Sequence, residues 1–165
     1  MKGRKIPDII TEGEFLQILR ATKKPKLKTA FTLGFYQCLR VSEVINLKKE
    51  DVDTEGGFLH IKQGKGNKDR HIPIMKEAMY YLRYLPINHT RQGLWKAFRK
   101  KAKEILNKGV YFHTLRHSGA SHYHNERKIG IRYIQEFLGH SRLSTTQIYT
   151  HINPQSLRNA FENTS

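Results

Sequence analysis

The run His113-Thr114-Leu115-Arg116-His117 places two imidazoles and a guanidinium within five residues. On a helix, His113 and Arg116 share a face. A guanidinium can hold two oxygens of an anion, and an imidazole can move a proton near neutral pH. The pair therefore suits an anionic centre, although His117 packing as a cap and Arg116 pairing with a carboxylate would satisfy the same residues. Arg40 stands among Leu39, Val41 and Val44. It should be partly enclosed and should have a fixed anionic partner, for which Glu43 is in reach. Lys65 lies between Gly64 and Gly66. Such a lysine can approach a backbone phosphate closely, or can simply be solvated on a basic turn. Tyr149 is one of eight tyrosines, and His140 follows a helix stop at Gly139. Taken singly, these two read as a packing residue and a turn residue.

The elements that would carry these groups are mostly helical. Thr11 and Glu14 match a capping box, opening a helix with Phe15, Leu16 and Leu19 on one face. Pro25 reads as a break, followed by an apolar helix over 27–38. Ser42 is a candidate cap for a short helix over 43–48. The period then changes to that of strands at Phe58–Ile61 and at 70–74, with a basic, turn-rich tip between them. Helical periods return over 78–85 and 91–107, the latter with Leu94, Phe98, Ala102 and Ile105 as its stripe. Thr114 is a candidate cap for a helix to Asn125. A further helix spans 130–138, with Gly139 as its stop. Ser144 and Gln147 match a second capping box ahead of Tyr149, and 156–163 reads as a last short helix after a break at Pro154. The expected fold class is mainly α with one small antiparallel β-sheet.

The 165 residues carry 30 Lys+Arg against 14 Asp+Glu, a net charge of +16. A surface this basic attracts polyanions, above all nucleic acid. Cys38 is the only cysteine, which excludes a disulfide framework and fits a small buried hydrophobe. No apolar run nears the ~18 residues of a membrane span, and no secretory leader is visible after the basic start, so an intracellular setting, cytoplasm or nucleoid, is expected. The stretch from Gly64 to Asp69 lacks the spacing of a P-loop, so no ATP site is expected. A zinc site from His113, His117, His122 and His124, or a magnesium site from Glu50, Asp51 and Asp53, has little support beside solvated or packed alternatives. No metal and no cofactor are expected.

In chain order, the candidate residues together resemble the tyrosine recombinases, or phage integrase family, most closely its Xer-type and archaeal or viral members. Arg40-Val41-Ser42-Glu43 is similar to the family's Arg-x-x-Glu box. Gly64-Lys65-Gly66-Asn67-Lys68 is similar to its hairpin lysine motif, and His113 to Ser118 to its His-x-x-Arg box. Leu138-Gly139-His140-Ser141 resembles the next histidine segment, and Thr145 to His151 the segment with the nucleophile. The resemblance spans about residues 11–153. It implies that Tyr149 attacks a DNA phosphodiester to give a 3′-phosphotyrosyl link, later rejoined by a 5′-hydroxyl. Arg40 and Arg116 would hold the nonbridging oxygens, and Lys65 would protonate the leaving oxygen. His113 would take a proton or bind the phosphate, His140 would donate to it, and Glu43 would orient its neighbours. Lys62, Lys65, Lys68 and Arg70 would contact DNA.

The resemblance also implies duplex DNA as partner and a homo-oligomer on it, a tetrameric synapse, with a monomer in isolation. The chain reads as a single catalytic domain over 1–165, with a basic lead-in at 1–10 and a tail at 154–165 that either is exchanged between partner subunits or packs on its own domain. The family's N-terminal DNA-binding domain is expected to be absent. Two rival readings stay open: a type IB topoisomerase, which would relax supercoils with similar groups, and a basic DNA-binding module without catalysis.

Overall fold

The computed structural model describes residues 8–62, 69–139 and 154–163. Helix α1 (Glu12–Ala21) starts at the expected capping box: Thr11 Oγ1 accepts from the Glu14 amide, and Glu14 accepts from the Thr11 amide. Helix α2 (Pro25–Phe35) begins at Pro25 itself. A proline at the first helical position loses no hydrogen bond and brings its φ already set, so Pro25 opens the helix instead of breaking the chain. Every side chain from Thr29 to Phe35 is buried, so α2 is the central element. It ends before Cys38, which takes a positive φ in the turn that follows. Helix α3 (Val41–Asn46) starts earlier than expected. Glu43, not Ser42, reaches back, accepting from the Arg40 amide at 2.8 Å.

The sheet has three antiparallel strands: β1 (Val52–Asp53), β2 (Phe58–Ile61) and β3 (Arg70–Pro73), in that order. The register pairs Leu59 with Ile72 and His60 with His71. Strand β1 is preceded by a 3₁₀ turn over Lys49–Asp51. In this acidic stretch Glu50 and Asp53 are exposed to solvent, whereas Asp51 is buried, accepting from the Lys48 amide at 2.9 Å and pairing with Lys62. Buried Gln37 ties the sheet's end to α2. Its amide nitrogen donates to the Pro73 carbonyl at 3.1 Å and its oxygen accepts from the Met75 amide at 2.8 Å.

Helix α4 (Lys76–Met79) runs into a 3₁₀ turn over Tyr80–Tyr84. Helix α5 (Arg91–Leu106) is capped by Thr90 and stopped by left-handed Asn107. Its expected stripe buries Leu94, Phe98 and Ala102, whereas Ile105 is exposed. Helix α6 (Phe112–Asn125) starts at Phe112, so Thr114 is its third residue, its hydroxyl accepting from the Tyr111 amide. Helix α7 (Ile131–Leu138) stops at Gly139, whose φ is +68°. Helices α2 and α6 cross closely. A Cβ at Gly119 would fall on the Phe35 carbonyl oxygen and lie 2.8 Å from the Cys38 sulfur. Tyr123 secures the crossing by donating to the Tyr36 carbonyl at 2.7 Å.

Helix α8 (Pro154–Glu162) again begins at a proline, which opens the helix rather than preceding it. Helix α8 packs on its own chain in this single copy. Leu157 and Phe161 are buried, and the Phe161 ring lies 4.9 Å from that of Tyr123 and 4.7 Å from that of Phe137. Burying two such side chains favours the docked state by about 1.5–3 kcal/mol each.

Candidate active site

Three segments distant in sequence meet at Glu43. The carboxylate accepts from the Arg40 guanidinium at 3.2 Å and from both terminal nitrogens of Arg70, at 2.8 and 3.3 Å. Arg116 comes within 4.0 Å of the same carboxylate. The Glu43 side chain is only 6% exposed. Burial pushes its carboxyl pKa up, but the hydrogen bond and charge of Arg70, with those of Arg40, outweigh that and hold it below the ordinary carboxylate range. One buried negative charge thus organises three arginines.

The three arginines are not equivalent. Arg116 is nearly sequestered, at 4% exposure. It donates to the Cys38 carbonyl at 2.6 Å and to the Leu138 carbonyl at 2.9 Å, pinning the α2–α3 turn and the end of α7 to α6. Burial, with the charge of Arg40, lowers its pKa to about 10, so it stays cationic at neutral pH. Arg40 sits at the rim, with its side chain 36% exposed. Arg70 was expected to contact DNA. Its side chain is instead 10% exposed, with both terminal nitrogens on Glu43 and Nε donating to the Phe137 carbonyl at 3.3 Å. Strand period explains this, since Arg70 lies on the same side of β3 as buried Ile72. Arg70 therefore holds the Glu43 carboxylate in place, and period two in the sequence was the available clue to its burial. The acceptors of Arg116 are main-chain carbonyls, which no residue type could have announced.

His113 and His117 lie along the first turns of α6, their rings edge to face at 4.5 Å. Burial lowers the pKa of His113, helped by the charges of His117, Arg116 and Arg40. The imidazole is therefore neutral near pH 7 and able to accept a proton. A cationic cluster with a neutral imidazole at its edge can bind a phosphate and take a proton beside it.

Arg40, Glu43, His113 and Arg116 are thus brought into one electrostatic neighbourhood. Lys65, Lys68, His140 and Tyr149 lie outside the described residues, as does the expected helix from Ser144. Two anchors approach them along the chain. Gly139, the residue before His140, packs on Arg70: a Cβ there would meet its guanidinium at 2.9 Å. Arg70 itself begins the strand that follows segment 63–68. Lys62 is more than half exposed and ion-paired with Asp51. Among the described residues, no group of three or more His, Cys, Asp or Glu is arranged to hold a metal ion. No helix among them is long and apolar enough to cross a membrane.

Residues 8–156 match the model of the phage integrase family. The tyrosine recombinase XerA of Pyrococcus horikoshii is 40% identical over 96% of this chain and 62% of its own length. XerD of Staphylococcus saprophyticus is 33% identical over 96% of this chain and 62% of its own. The chain therefore spans about three-fifths of the length of these relatives. Among solved structures, that of XerA recombinase superposes with a TM-score of 0.72 at 29% identity, covering 96% of this chain and 65% of that one. The integrase of mycobacterium phage Brujita superposes at 0.80 and 19% identity, covering 100% of this chain and 60% of that one; it supports the fold alone.

Proposed function

We propose that this chain, which belongs to the phage integrase family, is the catalytic part of a site-specific DNA recombinase that cuts and rejoins strands through a tyrosine ester. The observation that carries the reading is the gathering of Arg40, Arg70 and Arg116 on Glu43, with His113 near enough to feel the charges of Arg40 and Arg116. Three arginines gathered by one buried carboxylate leave a net positive field at the rim. That is what a phosphodiester approaching its pentacovalent transition state requires.

In the proposed step, the Tyr149 oxygen attacks phosphorus and loses its proton, for which neutral His113 is an acceptor. The bond from phosphorus to the 5′-oxygen breaks, and Lys65 supplies the proton to that oxygen. Arg40 and Arg116 hold the nonbridging oxygens, and His140 donates to one of them. The product is a 3′-phosphotyrosine and a free 5′-hydroxyl. A 5′-hydroxyl from a partner strand reverses the step, restoring the phenol. The ester conserves the energy of the broken bond, so no nucleotide hydrolysis enters the scheme, and the cationic side chains supply the charge stabilisation that metal ions give in many nucleases. The proposed partners are duplex DNA and further copies of the chain on it.

The polarity of the break tests the reading. A duplex nicked near the cutting point is incubated with the chain in chelator and then digested with protease. The reading requires a peptide on the 3′ end and a 5′ end that accepts phosphate from a kinase directly. A 5′-linked peptide would refute it. Relaxation of supercoiled plasmid without exchange between duplexes would favour a topoisomerase.

A further inference from the structure

Trp95 and Tyr111 are stacked on the surface, with ring centroids 5.5 Å apart and planes 15° from parallel. Arg99, one turn beyond Trp95 on α5, places its guanidinium carbon 5.0 Å from the Trp95 ring and 5.4 Å from the Tyr111 ring. Both aromatics are substantially exposed, Trp95 at 37% and Tyr111 at 43%. Among the described residues, Arg99 forms no ion pair. Two exposed rings that order an arginine with no carboxylate partner present a preformed cationic surface to an anion.

We propose that Trp95, Arg99 and Tyr111 form a seat for the sugar–phosphate backbone of duplex DNA next to the cleaved phosphate. The proposal rests on the function argued above and adds a contact to it. Position supports it: Tyr111 directly precedes α6 and stands two residues before His113. Charge supports it as well. Helix α5 carries Arg91, Lys96, Arg99, Lys100, Lys101 and Lys103 against the one acid Glu104. A second copy of a +16 chain would be repelled from such a face, whereas a polyanion is drawn to it.

The rings do two things for the contact. They hold a flexible guanidinium in place before binding, which removes part of the ordering entropy that a free arginine would lose. They also offer an apolar face on which a deoxyribose can pack while Arg99 donates to a nonbridging oxygen. Such a contact fixes the position of the duplex and reads no base.

Trp95 is the only tryptophan of the chain, so its fluorescence reports this surface alone. The whole chain is titrated with a short labelled duplex, and label anisotropy and tryptophan emission are followed together. Emission should change along the same isotherm as anisotropy and should recover on adding salt. Arg99→Ala should weaken binding roughly tenfold, alike on unrelated sequences. It should also make the slope of log affinity against log salt shallower by about 0.9, the share of one phosphate. If duplex binds while emission stays flat and Arg99→Ala keeps the original affinity and slope, the seat is refuted and the cutting function is untouched. If the folded chain binds no duplex at all, both fall. An emission change that follows protein concentration without DNA would show a second copy on this face and would also refute the seat.

Discussion

Arg70 and Glu43, 27 residues apart in sequence, form a fork-to-fork pair: each terminal nitrogen of Arg70 donates to a different carboxylate oxygen, at 2.8 and 3.3 Å. Both side chains are buried, and Arg40 and Arg116 gather on the same carboxylate. Removing Arg70 leaves Glu43 with Arg40 as its remaining close partner. Arg70→Ala should therefore destabilise the fold by about 3 kcal/mol, the lower end of the range for breaking a buried pair. Arg70→Lys keeps the charge but not the fork and should recover only part of the loss. Urea denaturation of the variants measures both; a loss of Arg70→Ala below about 1 kcal/mol would mean that the pair is structurally idle.

Gly119 is required by the approach of α6 to α2, because a Cβ would overlap the Phe35 carbonyl, which is backbone and cannot step aside. Gly119→Ala should cost about 1–3 kcal/mol or more. Gly109 has nothing within 4 Å of the corresponding position, so Gly109→Ala serves as the neutral comparison. Thermal unfolding of the two variants checks the contrast.

Much of this arrangement can be read from residue order. The capping box at Thr11, the strands on either side of segment 63–68, and the stop at Gly139 follow from local chemistry that the tertiary fold leaves intact. Arg40 and Glu43 could be paired on spacing alone. What escaped were effects of burial. Proline at the first turn opens α2 and α8, and a proline's role as opener or breaker depends on which side of it packs. Arg70 counts as a basic surface residue by composition, yet the strand turns it inward. The place of α8 depends on the pocket that Tyr123 and Phe137 offer to Phe161, which no local pattern in the tail contains.

Helix α8 should contribute to the stability of the chain that carries it. Phe161→Ala removes a ring packed against both Tyr123 and Phe137 and should cost about 3 kcal/mol in urea denaturation. No measurable loss in a dilute sample would show that the helix does not dock on its own chain in solution.

His113 should titrate below its usual 6.5, because burial and its cationic neighbours disfavour the charged ring. Strand cutting that uses the neutral imidazole should hold steady through pH 6.5 and fall only as pH drops through the lower, folded-state midpoint. The unfolded chain binds this proton at higher pH than the folded one does. Stability should therefore also decline from about pH 6.5 downward and level off below the folded midpoint. His117→Ala removes one of the disfavouring charges and should raise the midpoint. A proton NMR titration of the ring follows it directly, and a midpoint at or above 6.5 would contradict the assignment.

The most direct measurement is covalent capture. The chain and its Tyr149→Phe variant are each mixed with a nicked suicide duplex that traps the cut strand, and any adduct is digested and mapped by mass. The expected result is an adduct from the unaltered chain, carried on the peptide containing Tyr149, and none from the folded variant. An adduct that survives Tyr149→Phe, or none from a folded chain that demonstrably holds the duplex, would contradict cutting by this phenol.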